Sequence, residues 1–332
     1  MRSFDYTRPD NVAGAVLALA ARPDGHFLGG GSNLVDLMKL GVETPDALVD
    51  VSRLPLDGVE VTPDGGLRIG AGVRNSDLAA HPEVTARYPV LSQALLAGAS
   101  GQLRNVATTG GNLLQRTRCV YFTDPSKPCN KRAPGTGCPA REGDHRNLAI
   151  FGNAESCVAT HPSDMAVAMA ALDAAVLVTG PNGDRRIPLT DLHRTPAESD
   201  DVSRDTVLDH ADLITAVELP ALSFGAASTY RKARDRASYA FAVGSVAAAL
   251  DVADGTVRDV RLAWGAVAGK PWRAYRAEDV LRGRAATAES FAAAADAELE
   301  GAEPLRDNGF KVPLLRSMTV AVLQSLTNGA CS

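Results

Sequence analysis

Positive charge is not in excess in this sequence: 34 Lys and Arg stand against 39 Asp and Glu, a net charge of −5. Without the basic surface that a phosphate backbone demands, nucleic acid is excluded as a partner. Long apolar runs are also missing. The most hydrophobic stretch, Met165 to Val178, is interrupted by Asp173 and falls short of the ~20 residues that cross a bilayer, so no membrane insertion is expected. The opening Met1-Arg-Ser-Phe-Asp-Tyr-Thr-Arg-Pro-Asp10 has no apolar core of signal-peptide length, which points to the cytoplasm. Cysteine is sparse and odd in number, five in 332 residues, and that excludes a disulfide scaffold. No Gly-Lys-Ser/Thr tripeptide marks a P-loop, and the first glycine loop lacks the Gly-x-Gly-x-x-Gly spacing of a Rossmann turn. A nicotinamide site of that type is disfavoured.

What the chain does have is the composition of a packed protein, 45% hydrophobic and 22% charged, and the length for two domains at roughly one per 150 residues. A capped Ala/Leu helix over 11–21 precedes a buried strand at His26-Phe-Leu28. That strand runs into Gly29-Gly30-Gly31-Ser32-Asn33, and Leu34 to Lys39 begins a helix. Ala47 to Val51 reads as a further strand, and the segments at Val59 and Leu67 alternate around Pro63-Asp-Gly-Gly66 as a hairpin, so the sheet is expected to be partly antiparallel. Helices interrupted at Pro82 and Pro89 fill 77–99, and a helix followed by a strand fills 165–178. The domain boundary is placed after Pro220, giving parts 1–220 and 221–332. The second part reads as a hairpin across Asp254-Gly255 followed by helices near 290–299 and 313–326, an α+β module.

Two short segments carry phosphate-binding chemistry. Gly29 to Asn33 offers converging backbone N–H groups with nothing in the way, and Thr108-Thr-Gly-Gly111-Asn112 repeats the arrangement about eighty residues on. Two such cradles suit a diphosphate clamped from both sides.

The cysteines carry the other chemistry. Cys119, Cys129, Cys138 and Cys157 fall within 39 residues at spacing C-x9-C-x8-C-x18-C, inside an irregular segment rich in Pro, Gly, Lys and Arg, while Cys331 stands alone and is given no role. The spacing is too open for a zinc knuckle or for one helix face. A wandering loop can wrap four thiolates around a [4Fe–4S] core of charge about −2, which Arg116, Arg118, Lys131 and Arg132 would offset. Free thiols, two disulfides in an exported protein, and zinc remain the other readings of these four residues.

Beyond these local signals, whole motifs match a known family. Phe27-Leu-Gly-Gly-Gly-Ser-Asn-Leu34 with Leu37-Met-Lys39, Arg104-Asn-Val-Ala-Thr-Thr-Gly-Gly-Asn-Leu113, and Pro162-Ser-Asp-Met165 resemble the FAD-binding medium subunit of the molybdenum hydroxylases, the family of xanthine dehydrogenase, carbon monoxide dehydrogenase and aldehyde oxidoreductase. Tyr230-Arg-Lys232, Leu262-Ala-Trp-Gly-Ala-Val267 and Leu281-x-Gly283 resemble its C-terminal module. Cys119-x-Tyr-Phe, Cys129-Asn-Lys-Arg and Pro134-Gly-x-Gly-Cys138 resemble the aldehyde oxidoreductase branch whose flavin subunit carries an extra [4Fe–4S] cluster.

The resemblance implies an α+β protein: a two-subdomain FAD-binding domain of the vanillyl-alcohol oxidase (PCMH) type, with a cysteine loop at about 116–157, and a C-terminal α+β module. It implies that Phe27, Leu28, Gly29, Gly30, Gly31, Ser32, Asn33 and Leu34 wrap the FAD diphosphate from one side and Thr108, Gly111 and Asn112 from the other. Asp164, Ile214 and Lys232 would lie near the flavin, and Cys119, Cys129, Cys138 and Cys157 would hold the cluster. The expected partners are a molybdopterin-binding large subunit, a [2Fe–2S] small subunit and an external electron acceptor, in a heterotrimer or a dimer of heterotrimers. The periplasm becomes an alternative location if a partner with a twin-arginine signal carries the folded chain. Two rival functions stay open: a stand-alone flavin reductase resembling UDP-N-acetylenolpyruvoylglucosamine reductase, and a zinc-stabilised, non-catalytic assembly subunit.

Overall fold

Three sheets organise the chain in the computed structural model, which describes residues 1–329; Cys331 lies outside the described residues. The first sheet is parallel, with β1 (Asp5–Thr7), β2 (Gly25–Leu28) and β3 (Ala47–Asp50) in the order β1-β3-β2. The helix Val12–Ala20 crosses over it, capped by Asn11 accepting from the Gly14 N–H at 2.8 Å, and buries Ala15, Val16 and Leu19 with Val49. β1 has no apolar alternation to betray it, because all three of its residues are exposed; backbone pairing to β3, the Tyr6 hydroxyl donating to Asp50 and the Arg22–Asp5 ion pair hold it.

The second sheet is antiparallel: β4 (Val59–Val61), β5 (Leu67–Gly70), β6 (Ala175–Gly180), β7 (Gly183–Pro188) and β8 (Leu213–Leu219), in the order β4-β5-β8-β6-β7. The single, partly antiparallel sheet expected from the sequence is therefore two sheets. Pro82 and Pro89 each begin a new helix, Pro82–Arg87 and Pro89–Ala97, where a missing N–H costs nothing.

The third sheet has β9 (Ser228–Ala233), β10 (Gly244–Ala253), β11 (Thr256–Gly265) and β12 (Trp272–Arg273) in the order β12-β11-β10-β9. Asp254 and Gly255 both take positive φ, as a tight two-residue hairpin requires. Helices Ala288–Leu299 and Lys311–Gly329 cover a core centred on Trp264.

Two segments tie the halves together. The helix Asp164–Ala171 is buried at every residue and shares a core with Leu67 and Ile69 on one side and Tyr230, Ala247 and Ala263 on the other. Ile150 and Phe151, well before Pro220, pack in the C-terminal core, and the Ile150 N–H donates to the Val267 carbonyl at 2.8 Å. The end of β8 is thus a break in sheet order rather than in packing.

Candidate functional site

β2 delivers the first glycine loop to the edge of a cleft of about 870 Å³. A Cβ on Gly30 would lie 1.9 Å from the Val106 carbonyl oxygen, so only glycine allows this loop to press against the chain entering the second loop. Gly31 takes φ +72°, turning successive N–H groups toward one side as an anion nest does. Gly31, Ser32 and Asn33 line the cleft, with Gly111 and Asn112 on the second loop and Asp164 and Lys232 deeper in.

The other expected contacts stand behind that wall. Phe27 and Leu28 belong to β2, Gly29 and Gly30 form the back of the loop, and Leu34 starts the helix Leu34–Leu40. Thr108 caps the helix Thr109–Leu113 by accepting from the Gly111 N–H at 3.3 Å, which takes up one backbone donor expected to face a phosphate. Ile214 sits near the start of β8, buried beneath Gly110. None of these seven residues lines the cleft.

Lys232 is buried in an ion pair. Its Nζ donates to Asp164 Oδ2 at 2.7 Å and to the Ala97 carbonyl at 3.1 Å, and the two side chains are only 4% and 8% exposed. Tyr230 donates its hydroxyl to Asp164 Oδ1 at 2.5 Å. Burial, then the neighbouring Asp164, pushes its phenol well above the ordinary range, so it remains a donor. Sequence reasoning gives Tyr230 no role of its own, although its i, i+2 relation to Lys232 on a strand puts both on one face. Ser163 caps Asp164–Ala171 by accepting from the Ala166 N–H, and its own hydroxyl reaches Asn112 Oδ1 at 2.5 Å. The second loop and the Asp164 helix are therefore one hydrogen-bonded unit.

A histidine pair also escapes sequence reasoning. His161 and His193 both donate through Nε2 to the Leu113 carbonyl, at 3.3 and 2.8 Å, with ring centroids 4.2 Å apart. Burial and the proximity of His193 hold His161 well below the ordinary imidazole value, and burial lowers His193. Nothing in their positions, far apart in the chain, signals the pairing.

Cys119, Cys129, Cys138 and Cys157 line one small cavity with Phe122 and Val158. All four are free thiols, so the two-disulfide reading does not hold. Burial pushes Cys119 and Cys157 up to about 11 and raises Cys138. Backbone N–H groups of Phe122 and Tyr121 face Cys119, those of Val158 and Ala140 face Cys138, and Ala159 donates to Cys157 Sγ at 3.4 Å.

The expected charge offset is mostly committed elsewhere. Arg116 pairs with Asp205 at 2.7 Å and with Glu43, Arg118 pairs with Asp36, and Arg132 donates to the Tyr121 and Phe122 carbonyls. Buried cations find carboxylates or carbonyls first. Burial alone would raise Asp205, but Arg116 and Lys131 bring it below the ordinary carboxylate value. Lys131 is paired with Asp205 at 2.5 Å as well, and its charge also favours the Cys157 thiolate. Among the described residues no three His, Cys, Asp or Glu close to the spacing of a single metal ion. Cys119 lines both the small cavity and the cleft.

Residues 2–222 match the family described as the FAD binding domain in molybdopterin dehydrogenase, and residues 228–326 match the CO dehydrogenase flavoprotein C-terminal domain. The chain belongs to the FAD-binding subunits of the molybdenum hydroxylases. It is 51% identical over 324 residues to the aldehyde oxidoreductase FAD-binding subunit PaoB of Escherichia coli K12, covering 97% of this chain and 98% of that one. It is 28% identical to the carbon monoxide dehydrogenase medium chain of Hydrogenophaga pseudoflava, over 92% of this chain and 88% of that one. The solved carbon monoxide dehydrogenase from the same organism superposes with a TM-score of 0.77 at 26% identity, over 98% of each chain.

Family membership bears out the FAD-binding domain, the α+β class and the oxidoreductase-subunit assignment, and the C-terminal match sets the stand-alone reductase aside. The cleft suits its cofactor on physical grounds too. Asn33 Nδ2, Asn75 Oδ1 and Ser245 Oγ are buried in its lining without a partner among the described residues, which is costly unless a polar ligand completes them.

Proposed function

We propose that this chain is the FAD- and [4Fe–4S]-bearing subunit of an aldehyde oxidoreductase. A large molybdopterin-binding partner would oxidise the aldehyde to the acid, with oxygen from water and release of two electrons. A small [2Fe–2S] partner would pass those electrons to this chain, and an external acceptor would take them away. The observation that carries the reading is Cys119: one residue lines both the cysteine cavity and the flavin cleft.

Bound FAD supplies a carrier that accepts electrons singly and releases them as a pair. The chain's own part is to hold and surround it. The glycine loops give a backbone nest, and the Lys232–Asp164 pair puts a buried cation with its counter-ion in the cleft wall. For the cluster, the support is a buried cavity lined by four sulfurs, with backbone N–H groups aimed at three of them and Lys131 acting on one.

The deciding experiment is metal and flavin analysis with spectroscopy on the complex purified without air. Flavin bands bleached by aldehyde only when the partners are present, with iron counted on this chain, are the expected result. Zinc in place of iron would favour the assembly-subunit reading. Iron that shows no reducible cluster by EPR would exclude passage of electrons through the cysteine pocket.

A further inference from the structure

The cysteine loop begins at the cleft, and its second arginine faces it. Arg118, the residue before Cys119, lines the cleft beside Asn33 and Asp36. Its guanidinium meets Asp36 Oδ2 through Nη1 at 3.4 Å, long for a charge-assisted bond, and lies 4.9 Å from the centre of the Phe241 ring. Its Nε is buried and has no hydrogen-bond partner among the described residues.

Asn33, at the end of the first glycine loop, is in the same condition. Its Oδ1 accepts from the Arg116 N–H at 2.8 Å, which fixes the amide orientation and leaves Nδ2 buried and unpartnered. One backbone bond thus ties Asn33 to the segment that carries Arg118. Two buried donors, one cationic, share one cleft wall next to the left-handed Gly31, and the protein offers no acceptor to either among the described residues. A buried donor left unmet is costly, and a ligand with several anionic oxygens answers both.

We propose that Arg118 is a binding residue for the FAD diphosphate, lent to the cleft by the cysteine loop, with Asn33 as its neutral co-donor. This rests on FAD occupying the cleft and adds what the glycine nests lack, a charged side-chain contact. It also makes the cysteine loop part of the flavin site, so that disturbing the loop loosens the flavin. Asp36 is the competing carboxylate, and its weak grip leaves the guanidinium available.

The test uses the full chain in its complex, with FAD affinity measured by titrating flavin-depleted protein. Arg118→Gln should weaken FAD by roughly 10- to 100-fold, the range of a charge-assisted hydrogen bond, and Arg118→Lys should recover part of the loss. The phosphorus resonances of bound FAD should shift in Arg118→Gln and return toward the parent positions in Arg118→Lys, a charge-dependent rescue that a packing role would not give. Asp36→Asn removes the partner and keeps the guanidinium, so it should bind FAD at least as tightly as the parent. Unchanged affinity and unchanged phosphorus resonances in Arg118→Gln would overturn the proposal. Equal weakening by Asp36→Asn would do the same, because Arg118 would then be acting only through its ion pair. A parent complex that holds no FAD in the cleft would remove the underlying reading as well, which separates the two failures.

Discussion

The flavin cleft and the cysteine pocket adjoin each other at Cys119 but are built by opposite means. The cleft lies between regular elements whose internal needs are already met: Thr108 and Ser163 cap their helices, Asn112 joins them, and Lys232 has its counter-ion. Residues 116–157 contain only two short helical turns, Val120–Thr123 and Pro139–Arg141. This loop is held by local backbone bonds such as Ala149 N–H to the Val158 carbonyl at 2.9 Å, and by side chains reaching backbone, such as Asn130 accepting from the Gly137 N–H at 2.7 Å and Lys131 donating to the Val202 carbonyl at 2.9 Å. The cleft is framed by regular elements, whereas the pocket is framed by irregular chain folded around its own small core of Phe122, Ala140, Leu148 and Val158.

The largest effect should come from removing one sulfur. Cys129→Ser is expected to abolish iron binding and to speed amide exchange across 116–157 on the order of 100-fold, as when metal-coupled folding is withdrawn, while β2 and the Asp164 helix exchange as before. Iron analysis and hydrogen exchange mass spectrometry check it. Protection in the loop that survives the loss of iron would erase the distinction between the two regions.

Glycine gives a second, smaller contrast. Gly30→Ala would drive a Cβ into the Val106 carbonyl at 1.9 Å, with backbone on both sides, and should cost about 1–3 kcal/mol together with flavin retention. Gly135, in the cysteine loop, has φ +86°, but a methyl group there would meet nothing within 4 Å, so Gly135→Ala should cost only about 1 kcal/mol and leave flavin bound. Thermal midpoints with flavin fluorescence rank the two. If Gly135→Ala proves the more damaging, the loop is the stiffer region and the comparison inverts.

Most of this architecture could be read in advance because periodicity and punctuation carry it. Pro82 and Pro89, Asp254-Gly255 and the run from β2 into Gly29 all sit where their backbone preferences predict. The pieces that escaped have no local signal. β1 is exposed on every residue, β12 is two residues long, and His161 meets His193 only because both turn toward the Leu113 carbonyl. In the site, residue types were legible but not their facing: the glycine motif contains Gly29 and Gly30, which pack backward, and Gly31, Ser32 and Asn33, which face the cleft. Arg118 could be noticed as a cation, yet only the fold shows that it turns toward the flavin side and away from the thiols.

The smallest effect concerns the hinge between the two regions, the Leu113 carbonyl that closes the second glycine loop just before the cysteine loop begins. Both histidines on it bind a proton less readily in the folded chain than an ordinary imidazole does, because burial penalises their charged forms. In the unfolded chain they take up protons as the pH falls through about 6.5, while the folded chain resists. The unfolded state then binds more protons, so stability is full above that value and falls as the pH drops below it, by up to about 1.4 kcal/mol per pH unit for each histidine. His193→Gln keeps a donor for the carbonyl but cannot titrate, and should flatten part of that slope between about pH 6.5 and 5 without altering stability at about pH 8 by as much. Midpoints measured across this range for parent and variant check the sign. Parallel curves would mean that acid acts through other groups. A flattened curve, with exchange in acid accelerating first on both sides of Leu113, would show that this oxygen helps to fasten the cleft to the cysteine pocket.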